Sequence, residues 1–109
     1  AGAFPCWLAP VQVRVLPVSD KFNKYAEKVG KALKTAGARY EIDDSNESLG
    51  KKIRNAEMQK IPYMLVVGEK EVADETVMVR DYATKEQVVF PLNKFIEKVD
   101  AEGNVEKLV

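Results

Sequence analysis

The residue types that most enzymes use for catalysis are scarce in this sequence. Its 109 residues include one cysteine, Cys6, and no histidine. Serine–histidine–aspartate catalysis, cysteine–histidine catalysis and histidine-ligated metal sites are therefore excluded by count. Cys6 also lacks a second cysteine for an internal disulfide or a Cys-x-x-Cys redox pair, and the glycines are too scattered for either nucleotide-binding fingerprint. We identify no catalytic site in the sequence, and it predicts no bound cofactor.

The adjacent carboxylates Asp43 and Asp44 are a candidate Mg²⁺ site, because clustered carboxylates bind hard cations. Receiver-type phosphorylation domains place such a pair beside an aspartate at the end of the central strand, where this sequence has Val67 and Gly68. Asp44 also has a simpler role. Glu47 follows it by three residues, which is the spacing of a reciprocal helix cap. We therefore expect a cap here and no metal.

Composition and charge are those of an ordinary globular protein. Hydrophobic residues make up 46% of the chain and charged residues 31%, and 17 basic side chains balance 17 acidic ones. The longest apolar run, Met64 to Val67, is far shorter than the roughly 20 residues that cross a bilayer, and the N-terminus lacks the pattern of a signal peptide. We expect one domain, no membrane partner and a cytoplasmic location.

Strands alternate with helices along the first part of the chain. Near-continuous apolar and β-branched runs predict buried strands, and apolar residues at spacings of three and four predict helices. In chain order we predict a strand at Gln12–Val18, a helix capped by Ser19 or Asp20 and stopped by Gly37, a strand at Arg39–Ile42, a helix from Asp44 that Pro62 ends, and a strand at Tyr63–Val67. In the second helix, Leu49, Ile53 and Ala56 share one face, while Lys51, Lys52 and Asn55 turn elsewhere.

The pattern changes after Gly68. A charged turn through Asp74 and Glu75 precedes two short strands, Thr76–Asp81 and Gln87–Phe90, and a last helix begins with Pro91 at its first position. Short connections favour antiparallel neighbours. The whole pattern predicts an α/β fold, a three-layer sandwich in which a mixed sheet carries helices on both faces.

Three segments together resemble the C-terminal anticodon-binding domain of threonyl-tRNA synthetase, a class II aminoacyl-tRNA synthetase. They are Gly2–Val13 with its Phe-Pro-x-Trp-Leu-Ala-Pro run, Asp43–Arg54, and Ile61–Val72 continuing to Val77–Arg80. Synthetases for proline, glycine and histidine share the fold and a Leu-Ala-Pro entry. Cys6 departs from the family pattern, which has threonine there.

The resemblance implies a fold and a division of the chain. The family fold is a five-stranded mixed sheet of order 2-1-3-4-5 with strand 4 antiparallel. Residues 1–10 would be a linker from an upstream catalytic domain, and residues 11–109 the anticodon-binding domain. The full family enzyme is a homodimer whose upstream domains use ATP and zinc, so this chain alone would be non-catalytic and free of cofactors.

The resemblance also assigns binding residues. Threonine anticodons share a middle G and a final U, and loop bases of RNA are read by hydrogen bonds to their edges and by stacking. By position, Arg80 would contact the middle G, Glu71 would accept from its N1 and N2 donors, Asn46 would read the loop through its amide, and Gln12 is a weaker candidate. A guanidinium fork, a carboxylate acceptor and an amide suit these tasks.

Each assignment has a plainer alternative. Asn46 precedes a helix and could cap it, and Arg80 could form an ion pair with Asp81 or Glu71. Four basic residues near these positions are phosphate-contact candidates or ordinary surface cations: Lys51, Lys52, Arg54 and Lys70.

Three functions remain open at this point. The first is recognition of the tRNA(Thr) anticodon loop as part of a threonine–tRNA ligase. The second is the same role in another class II synthetase, for proline or glycine. The third is a stand-alone protein-interaction module with the same fold. The joint presence of Asn46, Glu71 and Arg80 favours RNA, and zero net charge predicts weak binding by the isolated domain.

Overall fold

Five strands form one sheet in the order β2-β1-β3-β4-β5. The structure is a computed structural model that describes residues 11–82 and 84–98. The elements are β1 (Val13–Pro17), a short 3-10 helix (Asp20–Phe22), α1 (Asn23–Thr35), β2 (Tyr40–Ile42), α2 (Leu49–Met58), β3 (Tyr63–Val67), α3 (Glu69–Asp74), β4 (Thr76–Asp81) and β5 (Gln87–Pro91). Residues 92–98 form a further helix, α4.

The strand directions confirm the predicted mixed sheet. β1 pairs in parallel with β2 and with β3, with Val13 opposite Tyr63. β4 runs antiparallel between β3 and β5, so that Arg80 lies opposite Met64 on one side and Gln87 on the other. The carboxyl ends of the three parallel strands therefore share one edge of the sheet, and Arg80 lies near the opposite edge.

The two faces of the sheet are covered differently, and we call them the α1 face and the α2 face. On the α1 face, side chains from β1, β3 and β4 pack against α1 and against Phe95 of α4, which is fully buried. On the α2 face, α2 covers a smaller cluster consisting of Leu16, Ala56, Ile61, Met64 and Val66. Helices thus lie on both faces, as predicted.

The α2 face is open beyond β3. Met78 of β4 is partly buried at the margin of the small cluster. Val89, opposite Met78 on β5, is 58% exposed, and Met58 at the end of α2 is 75% exposed. This margin between α2 and β5 is the part of the sheet on which Arg80 lies.

Several predicted boundaries are confirmed and others are wrong. β3 and β4 have the predicted bounds, and Gly37 stops α1 with a left-handed φ of 82°. β1 is shorter than predicted, the charged turn at Asp74 is instead the end of helix α3, and Pro91 ends β5 rather than opening a helix. Ser19 makes no side-chain cap. The linker predicted at residues 1–10, Cys6 and the last eleven residues lie outside the described residues.

The start of α2 also differs from the prediction. Its cap is Ser48, whose Oγ accepts from the Lys51 backbone N–H at 3.3 Å. Asp44 lies too far upstream to cap a helix that begins at Leu49, and the neighbouring Asp43 accepts from the Ser45 backbone N–H instead. The loop between β2 and α2 is consequently longer than the sequence pattern indicated.

No helix within the described residues is both long and apolar enough to cross a membrane.

Candidate nucleic-acid interface

Arg80 lies at the open margin of the α2 face. β4 directs alternate side chains to opposite faces, so Val77 and Val79 enter the α1-face core while Met78 and Arg80 face α2. The Arg80 side chain is 25% exposed, and its Nη2 lies 3.1 Å from Oε1 of Glu57. Its Nε is buried and has no hydrogen-bond partner among the described residues. This ion pair with Glu57 was not among the alternatives that the sequence suggested.

Glu57 connects Arg80 to the turn between β4 and β5. Its second carboxylate oxygen, Oε2, lies 3.6 Å from Nζ of Lys85. Lys85 has a left-handed φ of 63°, and its ammonium lies 4.1 Å from the centre of the Tyr82 ring, within cation–π range. We call these four residues the Arg80 cluster. It holds two cations and one carboxylate, and it therefore carries a net positive charge.

Asn46 lies in the loop between β2 and α2. It is exposed, and because Ser48 caps α2 the alternative that Asn46 caps this helix is wrong. The neighbouring Glu47 forms an ion pair with Lys51 at 3.1 Å. This loop follows the carboxyl end of β2, so it lies at the edge of the sheet opposite Arg80.

Glu71 is buried to an unusual degree for a carboxylate, with 8% of its surface exposed. It lies in α3 near Tyr25 of α1, whose hydroxyl donates to the Thr76 carbonyl oxygen at 2.8 Å. Burial of Tyr25, together with the nearby carboxylates of Glu75 and Glu71, raises the pKa of that phenol to about 12. Glu71 therefore belongs to the carboxyl end of β3 and the α1 side of the molecule.

The structure does not bring the predicted base-reading residues into one cluster. Arg80 pairs with Met64 of β3. Three more residues of β3 follow Met64 before the strand ends and α3 begins. At a rise of about 3.3 Å per residue this is roughly 10 Å along the sheet. Asn46 and Glu71 thus lie at the carboxyl edge, and Arg80 lies towards the other one.

Gln12 is buried and makes hydrogen bonds to neighbouring backbone segments. It is 3% exposed, and its side-chain oxygen accepts from the Arg39 backbone N–H at 2.8 Å. Its backbone oxygen accepts from Tyr63 N–H at 3.2 Å. These contacts tie the start of β1 to both neighbouring strands.

One of the four phosphate-contact candidates is buried. Lys51, Arg54 and Lys70 are exposed, as predicted for surface cations. Lys52 is only 2% exposed, and its Nζ donates to the Pro17 carbonyl oxygen at 3.0 Å. The expectation that Lys52 turns away from the core is wrong, because its aliphatic stem packs within the α2 layer and its ammonium reaches the end of β1.

A polar cleft of about 520 Å³ separates β2 from α2. Arg14 lies at its base, 8% exposed, and its Nη2 donates to Glu41 Oε1 and to Gln59 Oε1, each at 2.6 Å. Asp43, Ser45 and Glu47 of the Asn46 loop line the same cleft. No group of three or more ligating residues within the described ranges could hold a metal ion.

Sequence reasoning missed Glu57, Lys85, Tyr82 and Arg14. The ion pairs of Glu57 join α2 to β4 and to the turn that follows it. These residues are far apart in the sequence, and the periodicity of apolar residues gives no information about such contacts. Tyr82 and Lys85 in one short turn were the only local signal, since an aromatic ring beside a cation is a common combination in RNA-binding surfaces.

Known proteins are similar to this chain in both sequence and structure. A family model described as "Anticodon binding domain" matches residues 12–102. A threonine–tRNA ligase from Caldanaerobacter subterraneus subsp. tengcongensis is 52% identical over 99 residues, which cover 91% of this chain and 15% of that protein. One from Clostridioides difficile is 51% identical over 102 residues, covering 94% of this chain and 16% of that protein.

Solved structures of tRNA synthetases are also similar to this chain. The RNA-binding domain of threonyl-tRNA synthetase from Cryptosporidium parvum superposes with a TM-score of 0.87 at 36% identity, covering 94% of this chain and 26% of that one. Prolyl-tRNA synthetase from the same organism superposes with a TM-score of 0.84 at 27% identity, covering 94% and 22%. This chain spans about a sixth of the length of the curated relatives that it matches.

Proposed function

The chain belongs to the anticodon-binding domain family, and on that premise we propose that it recognises the anticodon loop of threonine tRNA as the non-catalytic part of a threonine–tRNA ligase. Identity near 50% to threonine–tRNA ligases over more than nine tenths of the chain supports this assignment. The proline alternative has less support, since the prolyl enzyme is 27% identical. The upstream catalytic domain, its ATP and zinc, and the homodimer belong to the same proposal.

We further propose that Arg80 reads the middle G of the anticodon. The observation that supports this role most is its position: a guanidinium on the open margin of the α2 face, on a side chain that is 25% exposed, with Nη2 held by Glu57. Its remaining donors can serve a ligand on that margin, and guanine offers O6 and N7 to a guanidinium fork.

The loop would then extend from Arg80 towards the carboxyl edge of the sheet. Asn46 is exposed there and offers an amide that both donates and accepts, which suits the remaining bases, including the final U. Glu71 is the weaker guanine contact in this arrangement, because it is buried and lies at the other end of β3 from Arg80. Lys51, Arg54 and Lys70 supply exposed cations for phosphates.

The test is a binding titration with two RNA stem-loops that differ only at the middle base of a threonine anticodon. The loop with G should bind the domain more tightly, by about 1 to 3 kcal/mol for a good bidentate contact. Arg80→Ala should remove this preference and change the affinity for the mismatched loop much less. Lys70→Ala is the matched control, since losing one phosphate contact weakens both loops alike and lowers the salt slope by roughly 0.7.

Two results would contradict the proposal. Equal binding of both loops by the parent would remove the reading role altogether. Equal loss for both loops in Arg80→Ala would make Arg80 an electrostatic anchor and not the guanine reader. Thermal melting of each variant is measured first, so that a folding defect is not taken for a binding defect.

A further inference from the structure

Glu57 is the one acidic member of the Arg80 cluster, and both of its carboxylate oxygens contact cations. Oε1 lies 3.1 Å from Arg80 Nη2, and Oε2 lies 3.6 Å from Lys85 Nζ. The Glu57 side chain is 30% exposed, so it is partly shielded from solvent. It lies in the last turn of α2, where the helix dipole disfavours a negative charge. The two cations offset that unfavourable position.

We propose that Glu57 is a positioning residue for base recognition, which holds the Arg80 guanidinium in the orientation that reads the middle base. This inference rests on the proposed function of Arg80. An arginine side chain has many rotamers, and an ion pair at Nη2 restricts them before any ligand arrives. A contact group that is oriented in advance loses less conformational entropy on binding, and it presents its remaining donors in one direction.

The second contact of Glu57, with Lys85, lowers the attraction of the site for phosphate. Lys85 Nζ lies between the Glu57 carboxylate and the face of the Tyr82 ring. While it is held there, its charge is partly neutralised and contributes less to attraction of phosphate. Glu57 therefore raises selectivity for the base and lowers the non-selective affinity for any polyanion.

Glu57→Gln separates these effects, because glutamine keeps the shape of the side chain and removes its charge. The preference for the loop with the middle G should fall by about three- to tenfold, a part of what a bidentate contact provides. Affinity for the mismatched loop should stay equal or rise, with a steeper salt dependence by roughly 0.7 if Lys85 then contacts a phosphate of the single-stranded loop. A purely structural role would instead weaken both loops together.

The matched control is Glu97→Gln. Glu97 lies on α4 at the other face of the sheet and forms a more exposed ion pair with Lys94 at 4.0 Å. The control makes the same change in net charge, and it should leave the preference between the two loops intact. Thermal melting checks that both variants are folded. If Glu57→Gln lowers the melting temperature, Lys85→Gln provides the second comparison, since it should lower non-selective affinity and leave the base preference intact.

A double-mutant cycle with Arg80→Ala decides the mechanism. If Glu57 acts through Arg80, then Glu57→Gln has no further effect on base preference once Arg80 is absent, so the two changes are non-additive. Additive losses would overturn the inference, as would an unchanged preference in Glu57→Gln beside a parent that discriminates. A parent that binds both loops equally is a different result, because it contradicts the proposed function itself.

Discussion

The two faces of the sheet differ in the residues that the same strands contribute to them. On the α1 face, the inward side chains of β1, β3 and β4 are apolar and close against α1 and Phe95. On the α2 face the apolar cluster is smaller and is bordered by charged groups, among them Arg14, Lys52 and Arg80. The division occurs within single strands, since Val79 and Arg80 are neighbours in β4. Stability and the recognition role proposed for Arg80 can therefore be tested with separate substitutions.

The largest expected effect is on the α1 face. Phe95→Ala should destabilise the protein by about 3 to 5 kcal/mol, because it leaves a cavity where a fully buried ring now contacts Tyr63 edge-on. Val89→Ala on the exposed α2 face is the control, and its effect should stay within about 0.5 kcal/mol. Urea unfolding of the two variants measures the difference. Similar losses in both would remove the contrast between the faces.

Glycines in the two covering helices give a second comparison. A Cβ at Gly30 of α1 would lie 2.6 Å from Tyr40 Cε2, whereas one at Gly50 of α2 would meet nothing within 4 Å. Gly30→Ala should therefore destabilise by about 1 to 3 kcal/mol through overpacking. Gly50→Ala should stabilise by about 0.5 to 1 kcal/mol through helix propensity. Thermal melts that show the same sign for both would contradict the assigned packing.

Tyr25 makes the α1 side sensitive to alkaline pH. At pH 8, Tyr25→Phe should lower stability by about 1 kcal/mol, since it removes the hydrogen bond to the Thr76 carbonyl. The folded-state pKa of Tyr25 is about 12, against 10.0 for an ordinary phenol. Between these values the folded protein holds a proton that the unfolded chain has lost, so this contribution to stability falls as the pH rises.

The measurement for Tyr25 is the free energy of unfolding of parent and Tyr25→Phe from pH 8 to pH 12. The parent should lose its advantage above pH 10, whereas the phenylalanine variant has no such group to titrate. Lysines titrate in the same range in both proteins, so only the difference between the two curves is informative. A constant difference would show that the phenol is not protected from ionisation.

A small net change in stability is expected at Arg80. Arg80→Met removes the ion pair with Glu57, and it also removes a buried Nε donor for which the described part of the chain offers no hydrogen-bond partner. These changes oppose each other, so the free energy of unfolding should change by less than about 1 kcal/mol. A large loss of stability would mean that Arg80 belongs to the core of the α2 face, and the contrast between the faces would weaken.

The sequence predicted the fold well where the pattern is local and strong. The runs Tyr63–Val67 and Thr76–Asp81 match β3 and β4 because each is bounded by residues that interrupt a strand. The start of α2 was misplaced because the residues considered as caps, Asp44 and Asn46, precede the actual cap Ser48 by only a few positions, and all three are of types that cap helices. The choice among them depends on where the helix packs, and Leu49 and Ile53 pack against the small cluster directly after Ser48.

The candidate site was predicted less completely than the fold. Residue types and the family resemblance predicted Arg80 and Asn46 as base contacts; Asn46 is exposed and Arg80 is partly exposed, and their roles stay predictions. They could not show that Lys52 and Gln12 are buried, because both have side chains long enough to lie along apolar surface and reach a backbone group. They also could not identify Glu57, because it contacts Arg80 only when folding brings β4 beside the end of α2.

The register that places Val13 opposite Tyr63 has a consequence for the order of folding. β1 must pair with a strand that begins fifty residues later in the chain, and such distant parallel pairing is slow because a long loop must close first. β4 and β5 are joined by a short turn, and a hairpin of this kind forms in about 1 to 10 μs. An isolated hairpin is only marginally stable. We therefore expect the strand that bears Arg80 to form early and to persist only after the slower parallel half has supplied β3.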